Sequence, residues 1–350
     1  MQEPLMMHIN YTVYLQDDHL ILVDRRFLPR KIIRYTCQKY EDVARGIEDM
    51  VVQGAGDIAI TAGYGLYMAL RDIEDQPGTT VQEGKIYALK VKERLVATRP
   101  TGFHLKALLN KVLEGIEWES GDWSQQVLRM IENAITKQQL RSELTGNWAS
   151  TLLEDGDTIL THCFPGAAIL YMLKKAREEG KKVKVIASET RPYLQGARLT
   201  AWSTSELGIP TTLITDNMAA YCMSQGMITK VFTAADRIAM DGTVANKVGT
   251  FQLALAAAHH KIPFYILGYG GPDSRCALGQ DIPVEVRDPI EVLTFQEQKI
   301  TGDKVEGFYP AFDLTPPYLI AGVITDRGII SPDSVAKYWS LPKVNVVAET

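Results

Sequence analysis

The rhythm of apolar and polar positions changes part-way along the chain. Between His8 and Val23 it alternates loosely, YTVYL and then LILVD about the polar turn Gln16–Asp18, which predicts a small antiparallel hairpin. Helical patterns follow. Glu41–Val52 has apolar residues at helical spacing, Ile58–Leu70 is nearly all apolar, and Phe103–Ile116 repeats leucine at intervals of three and four. Trp123–Leu153 carries Leu128, Ile131, Ile135 and Leu140 on one stripe, with Thr145-Gly146 expected to break the helix. From Asp157 onward the chain reads strand, turn, helix. The strands are TILTHC, VKVIAS, TTLIT, KVFTAAD and PFYILG, with helices expected to open near Gly166, Gln195, Met218 and Ala245.

Strands alternating with helices predict an α/β protein: a Rossmann-like, mostly parallel sheet in a C-terminal domain, preceded by a smaller α+β domain with a hairpin and helices. The boundaries read as 1–122 for the first domain, 123–153 for a connecting helix and 154–350 for the sheet domain. Right-handed crossovers place every strand C-terminus on one edge, and ligands bind outside that edge where the strand order reverses. The residues ending the first four strands are Cys163, the run Glu189-Thr190-Arg191, Asp216 and Asp236, all polar or reactive.

Composition narrows the classes. With 37 basic and 42 acidic residues the net charge is −5, which argues against a nucleic-acid partner. No apolar run has the length of a membrane span and no secretory leader is visible, so a cytoplasmic location is expected. Cys37, Cys163, Cys222 and Cys276 are far apart, without metal-ligand spacing, so neither a disulfide framework nor a metal site is expected.

Each candidate has a plain alternative. Cys163 precedes the turn FPGAA into a helix, whose N-terminus favours thiolate, while Phe164 and Pro165 oppose it; a structural cysteine is the alternative. Asp236, flanked by alanines, reads as a general acid with a raised pKa, or as a helix cap or partner of Arg237. Asn246 and Lys247, taken to open a helix, read as an anion site or as ordinary helix-start residues. Gln195 shares a face with Arg198, and that face is equally a solvated one. Gln53, Gly54 and Ala55 form a glycine-flanked turn before an apolar helix, either a phosphate cradle or a loop. Arg99, before Pro100-Thr101 at an expected helix start, offers a guanidinium to phosphate or to solvent. His162 is expected to face away from Cys163, and Gly268-Tyr269-Gly270-Gly271 to be a flexible loop rather than a nucleotide site.

The strings ASETRPYLQGARLTAW, LITDNMAA, ADRIAMDGTVANKVGT, VRDPIEV and PAFDLTP resemble the methylthioribose-1-phosphate isomerase family. Its superfamily includes ribose-1,5-bisphosphate isomerase, 5-deoxyribose-1-phosphate isomerase and the regulatory subunits of the translation-initiation exchange factor. The resemblance implies an aldose–ketose isomerase without cofactor or metal, converting 5-methylthioribose-1-phosphate to 5-methylthioribulose-1-phosphate in methionine salvage. Isomerisation of the other two sugar phosphates, or regulatory binding without turnover, are the alternatives. It implies catalytic roles for Cys163 and Asp236, substrate contacts at Gln53, Gly54, Ala55, Arg99, Gln195, Asn246 and Lys247, and a homodimer. Two departures stand out: Gln53-Gly54-Ala55-Gly56 and then Asp57 where the family usually has Arg-Gly-Ala-Pro, and Cys163-Phe164-Pro165-Gly166 where it has Cys-Asn-Ala-Gly. Exchanging a guanidinium for a carboxylate is expected to weaken the anion site at the first.

Overall fold

The computed structural model describes residues 3–99 and 102–342. The chain divides into two compact units, His8–Gln139 and Met1–Met7 with Leu140–Thr350.

In the first unit β1 (Val13–Gln16), β2 (His19–Val23) and β3 (Arg34–Cys37) form an antiparallel sheet in that order. The β1–β2 turn is the expected hairpin. Asp17 and Asp18 both take positive φ, at 48° and 61°, as the two-residue turn matched to strand twist requires. Helices α1 (Tyr40–Glu48), α2 (Ala55–Glu74), α3 (Val81–Ala97) and α4 (Phe103–Glu114) pack beside the sheet's inner face. Every residue of α2 from Ala59 to Leu70 is buried, which explains its nearly continuous apolar run. The pattern did not predict α3, because its buried stripe is Gly84, Ala88, Val91 and Leu95, half of it too small to register as hydrophobic. The signal present was its capping box, with Thr80 and Glu83 bonding reciprocally across the first turn.

Helix α5 (Trp123–Ser150) runs through Gly146 unbroken, contrary to expectation. A Cβ on Gly146 would lie 2.5 Å from the Tyr171 Cβ and 2.6 Å from the Ala168 carbonyl oxygen. This glycine permits a close helix–helix approach; the α5 hydrogen bonds continue past it.

The second unit is built on seven strands. The chain lays down β4 (Thr158–Thr161), β5 (Lys184–Ser188) and β6 (Thr211–Ile214) in one direction. It then returns past β4 with β7 (Lys230–Ala234). After the short β8 (Arg237–Ile238) and β9 (Val244–Lys247) come β10 (Phe264–Tyr269), a β11/β12 hairpin (Thr294–Phe295, Gln298–Lys299) and β13 (Phe312–Thr315). The chain closes with β14 (Gly322–Thr325) and β15 (Gly328–Ile330). The order across the sheet is β15-β14-β10-β7-β4-β5-β6, parallel throughout except for the β14–β15 hairpin. Helices α6 (Ala167–Glu178), α7 (Trp202–Glu206), α8 (Ala219–Ser224) and α9 (Thr250–His259) connect strands, and α10 (Ile290–Leu293) stands in the stretch before β11. Strands β13, β9 and β8 make a separate antiparallel sheet.

The Gly268–Gly271 segment is packed. Gly268 ends against Val323 and Ile238, Gly271 against the Tyr338 ring, and Tyr269 through its hydroxyl holds the Pro165 carbonyl and the Ala168 N–H. The expected flexible loop is a fixed support for the turn after Cys163.

Candidate active site

The strand order reverses between β4 and β7, and the two strands leave this point carrying Cys163 and Asp236. Cys163 has φ +59°, a left-handed conformation costly for a residue with a Cβ. Two threonines hold it there: its N–H donates to Thr190 Oγ1 at 2.8 Å, and its carbonyl accepts from Thr200 Oγ1 at 2.5 Å. Thr190 is itself at φ +65°, fixed because its N–H and that of Arg191 both donate to the Asp216 carboxylate at 2.8 Å. Asp216, one of the strand-end acids, is therefore committed to the backbone. Gln195 follows, nearly buried, at the start of a π-helical turn Gly196–Ala201. A Cβ on Gly196 would lie 1.8 Å from the Ser188 carbonyl oxygen, so only glycine brings this segment onto the end of β5.

Both ring nitrogens of His162 have partners other than the thiol. Its Nε2 lies 2.9 Å from the Val248 carbonyl and its Nδ1 2.7 Å from Ser188 Oγ. A carbonyl only accepts, so Nε2 carries the proton and the serine hydroxyl donates to Nδ1. Burial pushes the imidazole's pKa down, keeping it neutral.

Burial also pushes the Cys163 thiol up to about 11. The charges of Lys247 and Arg287 and the Phe164 N–H pull the other way, and Asp236 adds to the rise. Of the two effects weighed in the sequence, desolvation wins. Asp236 donates its N–H to the Ala245 carbonyl at 2.9 Å, and the β8–β9 register, continued one residue, sets it opposite Asn246. Arg237 pairs with Asp273 at 2.7 Å.

Asn246 and Lys247 do not open a helix. They lie in β9, buried and hydrogen-bonded to β13, while α9 begins at Thr250 after Gly249 turns the chain at φ +105°. The first amides of α9 are already taken: Gly249 and Phe251 donate to the Asp313 carboxylate at 2.7 and 3.1 Å. Asn246 donates to Thr250 Oγ1 at 2.9 Å. Lys247 Nζ lies 3.3 Å from the Tyr309 hydroxyl and over the Tyr309 and Phe312 rings, and burial pushes its pKa down. Sequence reasoning missed Tyr309, Phe312 and Arg287 around this lysine, and Tyr193 beside Arg287; the residues near 287 and 309 fall in irregular backbone with no hydrophobic period to read.

Gln53, Gly54, Ala55 and Arg99 belong to the first unit. Gly54, at φ +97°, turns the chain into α2, whose first residue is Ala55. Gln53 is buried, its amide donating to the Met50 carbonyl at 3.2 Å, and the Arg25 guanidinium holds its backbone carbonyl. Arg25 also pairs with Asp57, whose other oxygen accepts from Gln138 at 2.8 Å. The added carboxylate is thus paired inside the fold, and position 53 still carries an uncharged amide in place of a guanidinium. Arg99 follows the C-terminal end of α3, where its guanidinium donates to the Ile47 carbonyl at 2.8 Å; Pro100 and Thr101 lie outside the described residues.

Comparison with known proteins settles the kinship. Residues 51–332 match the Initiation factor 2 subunit family. The chain belongs to that family. It is 40% identical over 330 residues to the methylthioribose-1-phosphate isomerase of Thermosipho melanesiensis, covering 90% of this chain and 93% of that one. Among solved structures it resembles the 5-methylthioribose 1-phosphate isomerase of Pyrococcus horikoshii OT3, with a TM-score of 0.81, 33% identity and coverage of 94% and 95%. It also resembles the translation initiation factor eIF-2B subunit delta of A. fulgidus, with a TM-score of 0.80, 34% identity and coverage of 94% and 99%. The fold therefore hosts both names within this family, and the side chains have to distinguish them. Among the described residues no cluster of three or more His, Cys, Asp or Glu is placed to hold a metal, and no helix is long and apolar enough to cross a membrane.

Proposed function

We propose that this chain isomerises 5-methylthioribose-1-phosphate to 5-methylthioribulose-1-phosphate, with Cys163 and Asp236 as its proton-handling pair. The observation that carries the reading is that these two residues follow the C-terminal ends of β4 and β7, the two strands that flank the reversal in strand order. The relatives named as isomerases support it.

The anomeric carbon of such a substrate carries phosphate, so no free aldehyde is available. Asp236 in its acid form protonates the ring oxygen and opens the furanose. Two routes lead on. In one, a Cys163 thiolate removes the C2 proton, an enediol forms and the proton is returned at C1; in the other, a hydride passes directly from C2 to C1 while Cys163, as thiolate, takes the 2-hydroxyl proton. Burial disfavours the thiolate that either route calls on, while the charges of Lys247 and Arg287 favour it. Gln195, Asn246 and Lys247, with Gln53, Gly54, Ala55 and Arg99, are the proposed substrate contacts, and binding energy spent on the phosphate orients C1 and C2.

The A. fulgidus relative, named as a translation initiation factor subunit, keeps open a second reading, regulatory binding without turnover. One assay separates them: turnover of 5-methylthioribose-1-phosphate, 5-deoxyribose-1-phosphate and ribose-1,5-bisphosphate by the wild type, Cys163→Ala and Asp236→Asn. Turnover of the first compound is expected, falling by a factor of at least about 100 in each variant. A folded wild type that turns over none of the three sinks the isomerase reading. A substrate deuterated at C2 is expected to keep its label, now at C1, whereas washout to solvent hydrogen would select the enediol route. We also infer a two-fold homodimer through the second unit.

A further inference from the structure

Arg287 lies between β10 and α10, and its side chain is 14% exposed. Its Nε donates to Glu285 Oε1 at 2.9 Å, and the Tyr193, Tyr309 and Phe312 rings stand 5.8, 6.0 and 6.0 Å from its Cζ. Burial works against the charge, but Glu285, by charge and hydrogen bond, holds the guanidinium's pKa above its ordinary value, so it remains a cation. Nε is the one nitrogen the protein uses; the two terminal nitrogens donate to no described residue. Neither is among the fully enclosed polar atoms without a partner, so both are open to a ligand.

A carboxylate on Nε with rings about the plane fixes a guanidinium while leaving its outer fork free. That is the geometry for bidentate binding of a tetrahedral oxyanion. Lys247 shares two of the same rings, and the charges of both cations act on Cys163. The backbone amides that a helix start would have offered an anion are occupied by Asp313. Near Cys163 the side chains of Lys247 and Arg287 therefore supply the positive charge, and the two terminal nitrogens of Arg287 are unspent.

We propose that Arg287 binds the phosphate of the substrate through its two terminal nitrogens, held in position by Glu285 through Nε. This inference rests on the isomerase reading for the identity of the phosphate ester, though not for the anion site itself. Two measurements test it. The first is protection of the wild type, Arg287→Lys and Arg287→Met against thermal unfolding by inorganic phosphate. The second is KM and kcat for 5-methylthioribose-1-phosphate. Saturable protection is expected in the wild type, weakened at least about tenfold in Arg287→Lys, which keeps charge and stem but loses the fork. It should be absent in Arg287→Met. In Arg287→Lys, KM should rise at least about tenfold while kcat changes less than about threefold, as loss of ground-state binding requires. Phosphate protection that is absent from the wild type, or equal in the wild type and a folded Arg287→Lys, overturns the proposal. Phosphate protection that depends on Arg287, in a protein that turns over no sugar phosphate, overturns the isomerase reading and leaves the anion site standing. Should Arg287→Met not fold, Arg287→Lys decides alone.

Discussion

Cys163 shows how a single residue can be legible in kind and illegible in state. Its position after an apolar strand and before a glycine turn marked it as chemistry in the sequence. Its thiol pKa depends on desolvation by chain segments distant in sequence, and no local pattern reports that. Since the folded thiol is pushed up to about 11, it is protonated at neutral pH, and its alkylation rate should climb with pH towards that value. The left-handed backbone that aims it depends on Thr190. We expect Thr190→Val to lower kcat by roughly tenfold to a hundredfold and to alter the pH profile of alkylation, with Thr190→Ser restoring both. A valine variant with wild-type kcat and profile would show that the hydroxyl only fills space.

At the scale of elements, glycine separates local pattern from structure. At Gly146 the expectation of a break followed the propensity scale, but the helix is continuous because the missing side chain makes room for Tyr171 and Ala168. Two effects oppose each other in Gly146→Ala. Helix propensity gains about 1 kcal/mol, while forcing a methyl into a 2.5 Å gap costs about 1–3 kcal/mol. The clash should win, and urea unfolding should show a lower midpoint; a raised midpoint would mean that the helices separate freely. The VANK segment failed for a related reason. Its strand is four residues long and buried at every position, so it shows no alternation, and the following Gly249 resembled the interior of a turn-to-helix start. Strands β4, β5, β7 and β10 are legible because burial leaves mostly β-branched and aliphatic residues in them, whereas half of VANK is the polar pair Asn246-Lys247.

For the whole molecule, the sequence disclosed the class of fold and five of the seven strands of its main sheet, together with the strand-end residues. It did not disclose the order of those strands, because pairing is decided by contacts among segments far apart along the chain. Assembly beyond one chain is likewise a matter of surfaces. Leu213 on edge strand β6, with Met218, Tyr221 and Met227 around α8, exposes apolar side chains that a second copy would cover. Light scattering should give twice 38.9 kDa, and Tyr221→Glu should shift it towards one; a wild-type monomer at micromolar concentration would remove the homodimer.

The return of β7 past β4 has one more consequence. Adjacent strands in any sheet are spaced by their hydrogen bonds, about 4.8 Å apart. The strands that lead to Cys163 and Asp236, each ending two residues before them, are therefore gauged by the backbone ladder, which side-chain substitutions barely alter. Drift in the rest of the sequence can reshape the turns around this fixed gap and change what is admitted to it without moving its two rails. A lineage built on such a gauge can lose its chemistry by changing one of two side chains and keep its architecture intact, so catalysts and non-catalysts can descend side by side on the same frame.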